Sequence, residues 1–368
     1  MSVPAKASCR ACLSSLVAFM QPSYGTLPPP PAMAGEGLSL AYIHRPLPAA
    51  LMLFPPFAFS MSGEVFIGAG GWGYFAGGLA AYVKAFQFTE VNTTFYRLPR
   101  LSDVDRWRRT VPATFVFSVK APRQITHRGG RLDGPEARER LGQTATICNR
   151  LRSPWLVLVY PPWREFDDAS CAALADLLSS AGMDATVCLE ARAYRARDLP
   201  PKLAETMEDN AIVDVVDPLV QEPRVASEHA YVRVFGKGEH NVYQPTDEEL
   251  EDVDDRTSGG EFKSMVFAFH GVRMYKDAAR FTTFKQTGRF PKVTRGEGLA
   301  SLDEILREDA VFPSSKERLV QHQGWKLFDL AENKRVRASL LLRQLEDGMY
   351  RSRAEVIAAL GPFPPSKA

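Results

Sequence analysis

Phe115-Val116-Phe117-Ser118-Val119-Lys120 and Leu156-Val157-Leu158-Val159-Tyr160 are the two runs that decide the fold. Both are almost continuously apolar, rich in β-branched and aromatic residues and short. That is the pattern of a strand covered on both faces in a parallel sheet. Six further runs share it, at 65–69, 88–92, 186–190, 211–216, 230–235 and 265–270. Helical stretches lie between them, the clearest at 79–86, 103–110, 136–150, 168–179 and 202–209. Eight buried strands alternating with helices predict an α/β protein built on a (β/α)8 TIM-type barrel. A doubly wound open sheet is the alternative.

The barrel is expected over 61–299, and the composition changes on both sides of it. Residues 1–60 hold 10 of the 27 prolines, Pro28-Pro29-Pro30-Pro31 among them, and only four charged residues. With no helical or strand period, they read as a disordered leader, or as sequence ahead of a true start at Met61. Lys6 and Arg10 before the apolar 12–20 run give a faint secretory pattern. Neither that run nor 47–59, broken by Pro55 and Pro56, is long enough to span a bilayer. Residues 300–368 read as a small, mainly helical appendage covering one barrel end, with basic helical composition at 316–330 and 333–345. Thr246-Asp247-Glu248-Glu249 and Ser301-Leu302-Asp303-Glu304 fit the capping box, and Ser352-Arg353-Ala354-Glu355 opens a last helix.

Charge assigns no partner by itself: 45 Lys and Arg stand against 43 Asp and Glu, for a net +2. The average hides a local surplus. Between 97 and 152 there are 13 basic residues against five acidic ones, offset by the acidic run 247–255. Such a basic segment would draw a phosphate or a nucleic-acid backbone, and it equally suits a solvated face. Of the five cysteines, Cys9 and Cys12 fall in the leader, while Cys148, Cys171 and Cys188 lie on apolar or helical stretches without Cys-x-x-Cys spacing. An odd, scattered set reads as reduced core thiols and places the protein in the cytoplasm, with no membrane partner.

Active sites of such barrels are built where the strands end. Strand one leads into Gly71-Trp72-Gly73-Tyr74, and strand two into Glu90-Val91-Asn92-Thr93-Thr94-Phe95-Tyr96. Strand three gives Lys120-Ala121-Pro122-Arg123 and then His127; strand four gives Pro161-Pro162-Trp163 and strand five Glu190-Ala191-Arg192. Asp217 follows strand six, Arg233 lies in strand seven and His270 closes strand eight. Glu90 and Glu190 stand out as carboxylates within apolar runs, each needing a cation such as Lys120, Arg123 or Arg192. Ion pairs plugging the barrel would satisfy them, but five or more charged groups at one rim favour a polar site. His127 and His270 are placed to move a proton near neutral pH, although each alone also suits a packing role. Trp72, Tyr74, Tyr96 and Trp163 suit either stacking on a ring or lidding the core. Glu90, Glu190, Asp217 and His270 are of metal-ligating type, but no His-x-His or His-x-x-x-His spacing supports a metal, and no motif indicates a cofactor.

Gly71-Trp72-Gly73-Tyr74, followed by Glu90-Val91-Asn92-Thr93-Thr94-Phe95-Tyr96-Arg97-Leu98-Pro99, resembles the YecE-like family, domain of unknown function 72. Trp107, Lys120-Ala121-Pro122-Arg123, Thr126-His127, Pro161-Pro162, Glu190-Ala191-Arg192 and Tyr231-Val232-Arg233 continue it in order, over about 65–290. The resemblance implies a TIM-type barrel with a polar pocket at one end and no established reaction. Three positions depart from the family pattern: Ala193 and Phe235 stand where histidines are usual, and His270-Gly271 where Asn-Asn is usual. The stretch from Val272 onward resembles an archaeal-type branch.

The functional expectation is an enzyme of hydrolase or isomerase-type acid/base chemistry acting on a small anionic or phosphate-bearing substrate. Glu90, Glu190, His270 and His127 are the catalytic candidates. Trp72, Tyr74, Asn92, Tyr96, Lys120, Arg123, Arg192, Asp217 and Arg233 are the substrate-binding ones. The alternatives are a nucleic-acid-handling protein using the 97–152 face, and a non-catalytic binding module.

Overall fold

A computed structural model of the chain describes residues 63–361, apart from 128–131, 239–240, 259 and 261. The expected leader and the alternative start at Met61 lie outside the described residues. Eight strands form one parallel sheet: β1 (Glu64–Ala69), β2 (Phe88–Val91), β3 (Val116–Lys120), β4 (Trp155–Tyr160), β5 (Thr186–Ala191), β6 (Val213–Asp214), β7 (His229–Val234) and β8 (Ser264–Phe269). Their order is β6-β5-β4-β3-β2-β1-β8-β7. The two ends meet at a parallel bridge between Val216 and Val232, where the Arg233 N–H donates to the Val216 carbonyl at 2.9 Å. Helices fill the crossovers, so the architecture is the expected TIM-type barrel.

Alternation along the strands separates two apolar layers. Phe88, Trp155, Val157, Val159, Cys188, Val213, Tyr231, Val266 and Ala268 form the interior, where Phe88, Trp155 and Tyr231 meet edge-on with centroids 6.2–6.3 Å apart. Their neighbours, such as Val91, Phe117, Leu158, Leu189 and Phe267, face the helices. The same period continues each inward row to the C-terminal strand ends: Phe88 to Glu90, Ser118 to Lys120, Cys188 to Glu190, Tyr231 to Arg233. Chain closure at β1 and β2 relies on Gly68, where a Cβ would stand 2.0 Å from the Phe88 carbonyl. Tyr82 pins this seam: its hydroxyl accepts from the Ala69 N–H at 2.8 Å and donates to the Phe88 carbonyl at 2.9 Å. Cys148, Cys171 and Cys188 are free and buried.

Beyond the barrel, residues 299–360 build a separate small core around Leu302, Leu306, Leu319, Phe328, Leu341 and Val356. The expected helices are present at Leu299–Asp309, Lys316–Gln323, Ser339–Leu342 and Arg353–Leu360. Two antiparallel pairs were not anticipated: β9 (Ser314–Ser315) with β12 (Met349–Tyr350), and β10 (Leu327–Ala331) with β11 (Lys334–Arg337). The second replaces helix expected over parts of 316–330 and 333–345; Phe328 and Leu330 enter the core from a two-residue period. Ser301 is also not a cap. Its helix starts at Leu299, and the Ser301 hydroxyl instead accepts from the Asp329 N–H at 2.8 Å. The box at Thr246 and Glu249 does form, with reciprocal bonds of 2.9 and 3.2 Å.

This unit is fastened where β7 and β8 lead into their helices. Asp247 receives guanidinium groups from Arg280 and Arg335, and Gln244 accepts from the Leu327 N–H at 2.8 Å. No helix among the described residues is long and apolar enough to cross a membrane.

Candidate functional site

Arg233 is the centre of the barrel mouth. Its side chain is almost completely buried, at 1% exposure, because β7 points it inward one step above Tyr231. Two glutamates face it. Arg233 donates to Glu90 Oε2 and Oε1 at 3.1 and 3.0 Å, and through its other terminal nitrogen to Glu190 Oε2. Tyr231 adds a bond from its hydroxyl to Glu90 Oε2 at 2.9 Å, with Ser118 behind it at 2.7 Å. Arg192 closes the outer side by donating to Glu190 Oε1 at 2.7 Å.

Burial alone would raise the carboxyl of Glu90, but the bonded Arg233 guanidinium above all holds it well below the usual range. For Glu190 the same burial is overcome by Arg192 and Arg233, leaving it at about 2. Both glutamates are therefore locked as carboxylates at neutral pH. Glu90 and Arg233 perform the plugging role; Glu190 and Arg192 form the layer nearer solvent.

His270 sits against this cluster, with Nε2 3.4 Å from Glu90 Oε2 and accepting from Arg233 Nε at 3.1 Å. Its ring stacks on Phe235 with centroids 4.8 Å apart and an 18° interplanar angle. Burial and then Arg233 lower its pKa to about 4, so the imidazole is neutral. Gly70 makes the packing possible, since a Cβ there would lie 2.2 Å from His270 Nδ1. Positions 235 and 270, two of the three departures from the family pattern, are thus in contact.

Lys120 differs from the other cations. It ends β3, is half-buried, and its Nζ stands 4.1 Å from the Phe95 ring centroid. Among the described residues no carboxylate, carbonyl or hydroxyl bonds it. Burial, followed by Arg233 and Arg192, brings its pKa down to about 7 against the opposing pull of Glu90 and Glu190. His127 belongs to the same rim: its ring meets Phe95 at 4.8 Å, its Nδ1 is 2.8 Å from Thr126 Oγ1, and burial with Lys120 and Arg192 lowers it to about 4. Trp163, 72% exposed, stands 5.9 Å from His127.

The other expected residues have mixed placements. Tyr74 and Tyr96 are exposed at the mouth, and Arg123 lies by Tyr96 with its Nε buried and unpartnered. Asn92 uses its amide to donate to the Gly70 carbonyl at 2.7 Å. Trp72 packs edge-on against Trp107 and Phe117 in the helix-facing layer. Asp217 accepts from the N–H groups of Leu219, Phe235 and Gly236 and from Arg195, which fixes the β6 and β7 exits. Tyr231, Phe95, Phe235 and Gly70 were missed as site residues; the two-residue period of β7 marks Tyr231 with Arg233. Among the described residues no group of three or more His, Cys, Asp or Glu could hold a metal ion. The cation between Glu90 and Glu190 is a guanidinium.

Residues 74–290 match the family described as "Protein of unknown function DUF72". The chain belongs to the DUF72 family. Among solved structures, a DUF72 family protein from Enterococcus faecalis is similar at TM-score 0.51 and 16% identity, covering 61% of this chain and 94% of that one. Another from Thermotoga maritima has TM-score 0.48 and 20% identity, covering 61% and 99%. Endonuclease IV from Thermus thermophilus follows at TM-score 0.38 and 12% identity, covering 61% and 97%. No curated protein matches. The 299–360 unit of this DUF72 protein lies outside the matched residues.

Proposed function

We propose that this DUF72 barrel is an enzyme that binds a small anionic substrate, carrying a phosphate or carboxylate, at the mouth formed by Lys120, Arg123 and Arg192. One observation carries the reading: the mouth's two glutamates are already neutralised by Arg233 and Arg192, while the Lys120 ammonium has no counter-ion. A ligand anion would supply it. With Glu90 and Glu190 held as carboxylates and His270 and His127 neutral, Lys120 is the group that changes charge near pH 7 and so the acid/base candidate.

The nucleic-acid reading is less well supported. Arg106 and Arg150 are engaged by Asp103 and Asp105, Arg138 by Asp176, and Arg108 caps the Phe115 and Leu151 carbonyls. Four of the 13 basic residues of 97–152 are thus already engaged by groups of the protein itself. Three buried free thiols favour a reducing compartment, and the cytoplasm is the proposed location.

Thermal unfolding with inorganic phosphate and a panel of small carboxylates tests the proposal. At least one should raise the Tm of the wild type in a dose-dependent way, and Lys120→Met and Arg192→Met should abolish that shift. An unresponsive wild type would defeat the anion site; binding of DNA or RNA that weakens steeply with salt would favour the nucleic-acid reading instead.

A further inference from the structure

We infer that Lys120 is a covalent nucleophile, condensing through Nζ with the carbonyl carbon of an anionic aldehyde or ketone to form an imine. The inference rests on the anion site above and goes one step further, to the chemical class of the substrate. Three features of the geometry support it. Lys120 is carried by a strand end, which fixes the amine more tightly than a loop would. Its Nζ lies over the face of Phe95, a contact that favours the ammonium only weakly, and no acceptor is bonded to it among the described residues. The carboxylates that would fix it as an ammonium, Glu90 and Glu190, are turned to Arg233 and Arg192. Placement among cations in a half-dry site is how a lysine amine becomes nucleophilic. In agreement, the lowering of its pKa to about 7 leaves a large share of free amine at neutral pH.

The step balances without a redox partner. The Nζ lone pair forms a C–N bond as the carbonyl π pair moves to oxygen. A proton passes from nitrogen to that oxygen and gives a carbinolamine. A second proton, from solvent, lets the hydroxyl leave as water, and the resulting iminium keeps the positive charge. Glu90 and Glu190 lie near enough to Lys120 to offset part of the repulsion that Arg233 and Arg192 exert on the iminium. Arg192 and Arg123 are placed to hold the substrate's phosphate or carboxylate.

Reductive trapping on the full chain tests this. The protein is incubated with glyoxylate, or separately with dihydroxyacetone phosphate, in the presence of cyanoborohydride, and the adduct is mapped by peptide mass spectrometry. One adduct per chain is expected at Lys120, at least tenfold faster than at surface lysines, and slowed by inorganic phosphate. Its rate should rise with pH through a midpoint near 7, the value about which Lys120 titrates. Lys120→Arg should lose the fast adduct, with circular dichroism reporting whether that variant folds. Trapping in the wild type no faster than at surface lysines, with both probes, overturns the inference by itself. If phosphate still raises the Tm in that case, the anion site stands and only the imine fails; if phosphate has no effect either, both fail.

Discussion

Arg233 bridges two buried carboxylates, and a methionine of similar length would keep the volume while removing the charge. Arg233→Met should destabilise the protein by about 3–5 kcal/mol in urea unfolding, because the buried Glu90 would lose its bonded cation and Glu190 would keep only Arg192. Adding Glu90→Gln to that variant should recover part of the loss; no recovery would mean that the arginine acts through packing alone. Stability should also depend on pH with a definite sign. His270, moved from 6.5 to about 4, is held neutral in the fold, so its contribution is complete above 6.5 and is lost as pH falls towards 4. Glu190, moved from 4.5 to about 2, extends that acid loss to lower pH. Lys120 works in the other direction. Folding disfavours its ammonium, so stability should rise from pH 7 towards 10.5 as only the unfolded chain stays protonated. Lys120→Met should flatten that rise and raise stability at neutral pH, read from urea midpoints across the range. At this scale the sequence marked Glu90 and Glu190 as charges in apolar runs. It did not say which cation serves them, since Lys120, Arg123, Arg192 and Arg233 are separated along the chain and only barrel closure decides which one faces inward between the two.

The strand ends are held by close approaches that leave no room for a Cβ. At Gly70, alanine would place its Cβ 2.2 Å from His270 Nδ1 and 2.8 Å from Asn92 Nδ2. The imidazole would have to leave its stack on Phe235. Gly70→Ala should therefore cost about 1–3 kcal/mol and weaken phosphate binding, measured by unfolding and by ligand-induced Tm shift. Retained binding would show that His270 can move without disturbing the mouth. The strands themselves were legible because a buried parallel strand needs a short continuous apolar run. The sixth was the exception: 211–216 is apolar but for Asp214, yet only Val213–Asp214 pairs as a strand with β5, and one bridge at Val216 joins it to β7. Hydrophobicity reports burial and does not report pairing. The hairpin of β10 and β11 was hidden for a related reason: Lys334-Arg335-Val336-Arg337 carries charges that suit an exposed helix face. In the fold Arg335 instead reaches Asp247 in the barrel, 88 positions earlier in the chain.

Asp247 is where the molecule's two cores communicate. The interior and outer layers of the barrel are complete without residues 299–360, and those residues have an apolar cluster of their own. Between them the contacts are largely polar: Asp247 with Arg280 and Arg335, Glu249 with Arg337, Gln244 with the Leu327 N–H. Arg280 and Arg335 side chains are each 4% exposed, so neither can turn to water if its partner is removed. Arg280 keeps Asp277 at 3.1 Å, whereas Arg335 would retain only Asp329 at 3.8 Å. Asp247→Ala should therefore loosen the C-terminal unit more than the barrel. Limited proteolysis checks this: cleavage within 291–298, which joins the two, should become at least tenfold faster, while phosphate binding at the mouth should persist. Unchanged cleavage would mean that apolar contacts hold the unit in place and that the ion pairs only set its register. Loss of phosphate binding together with faster cleavage would instead tie the C-terminal unit to the site, through the β7 and β8 exits that carry Arg233, Phe235 and His270.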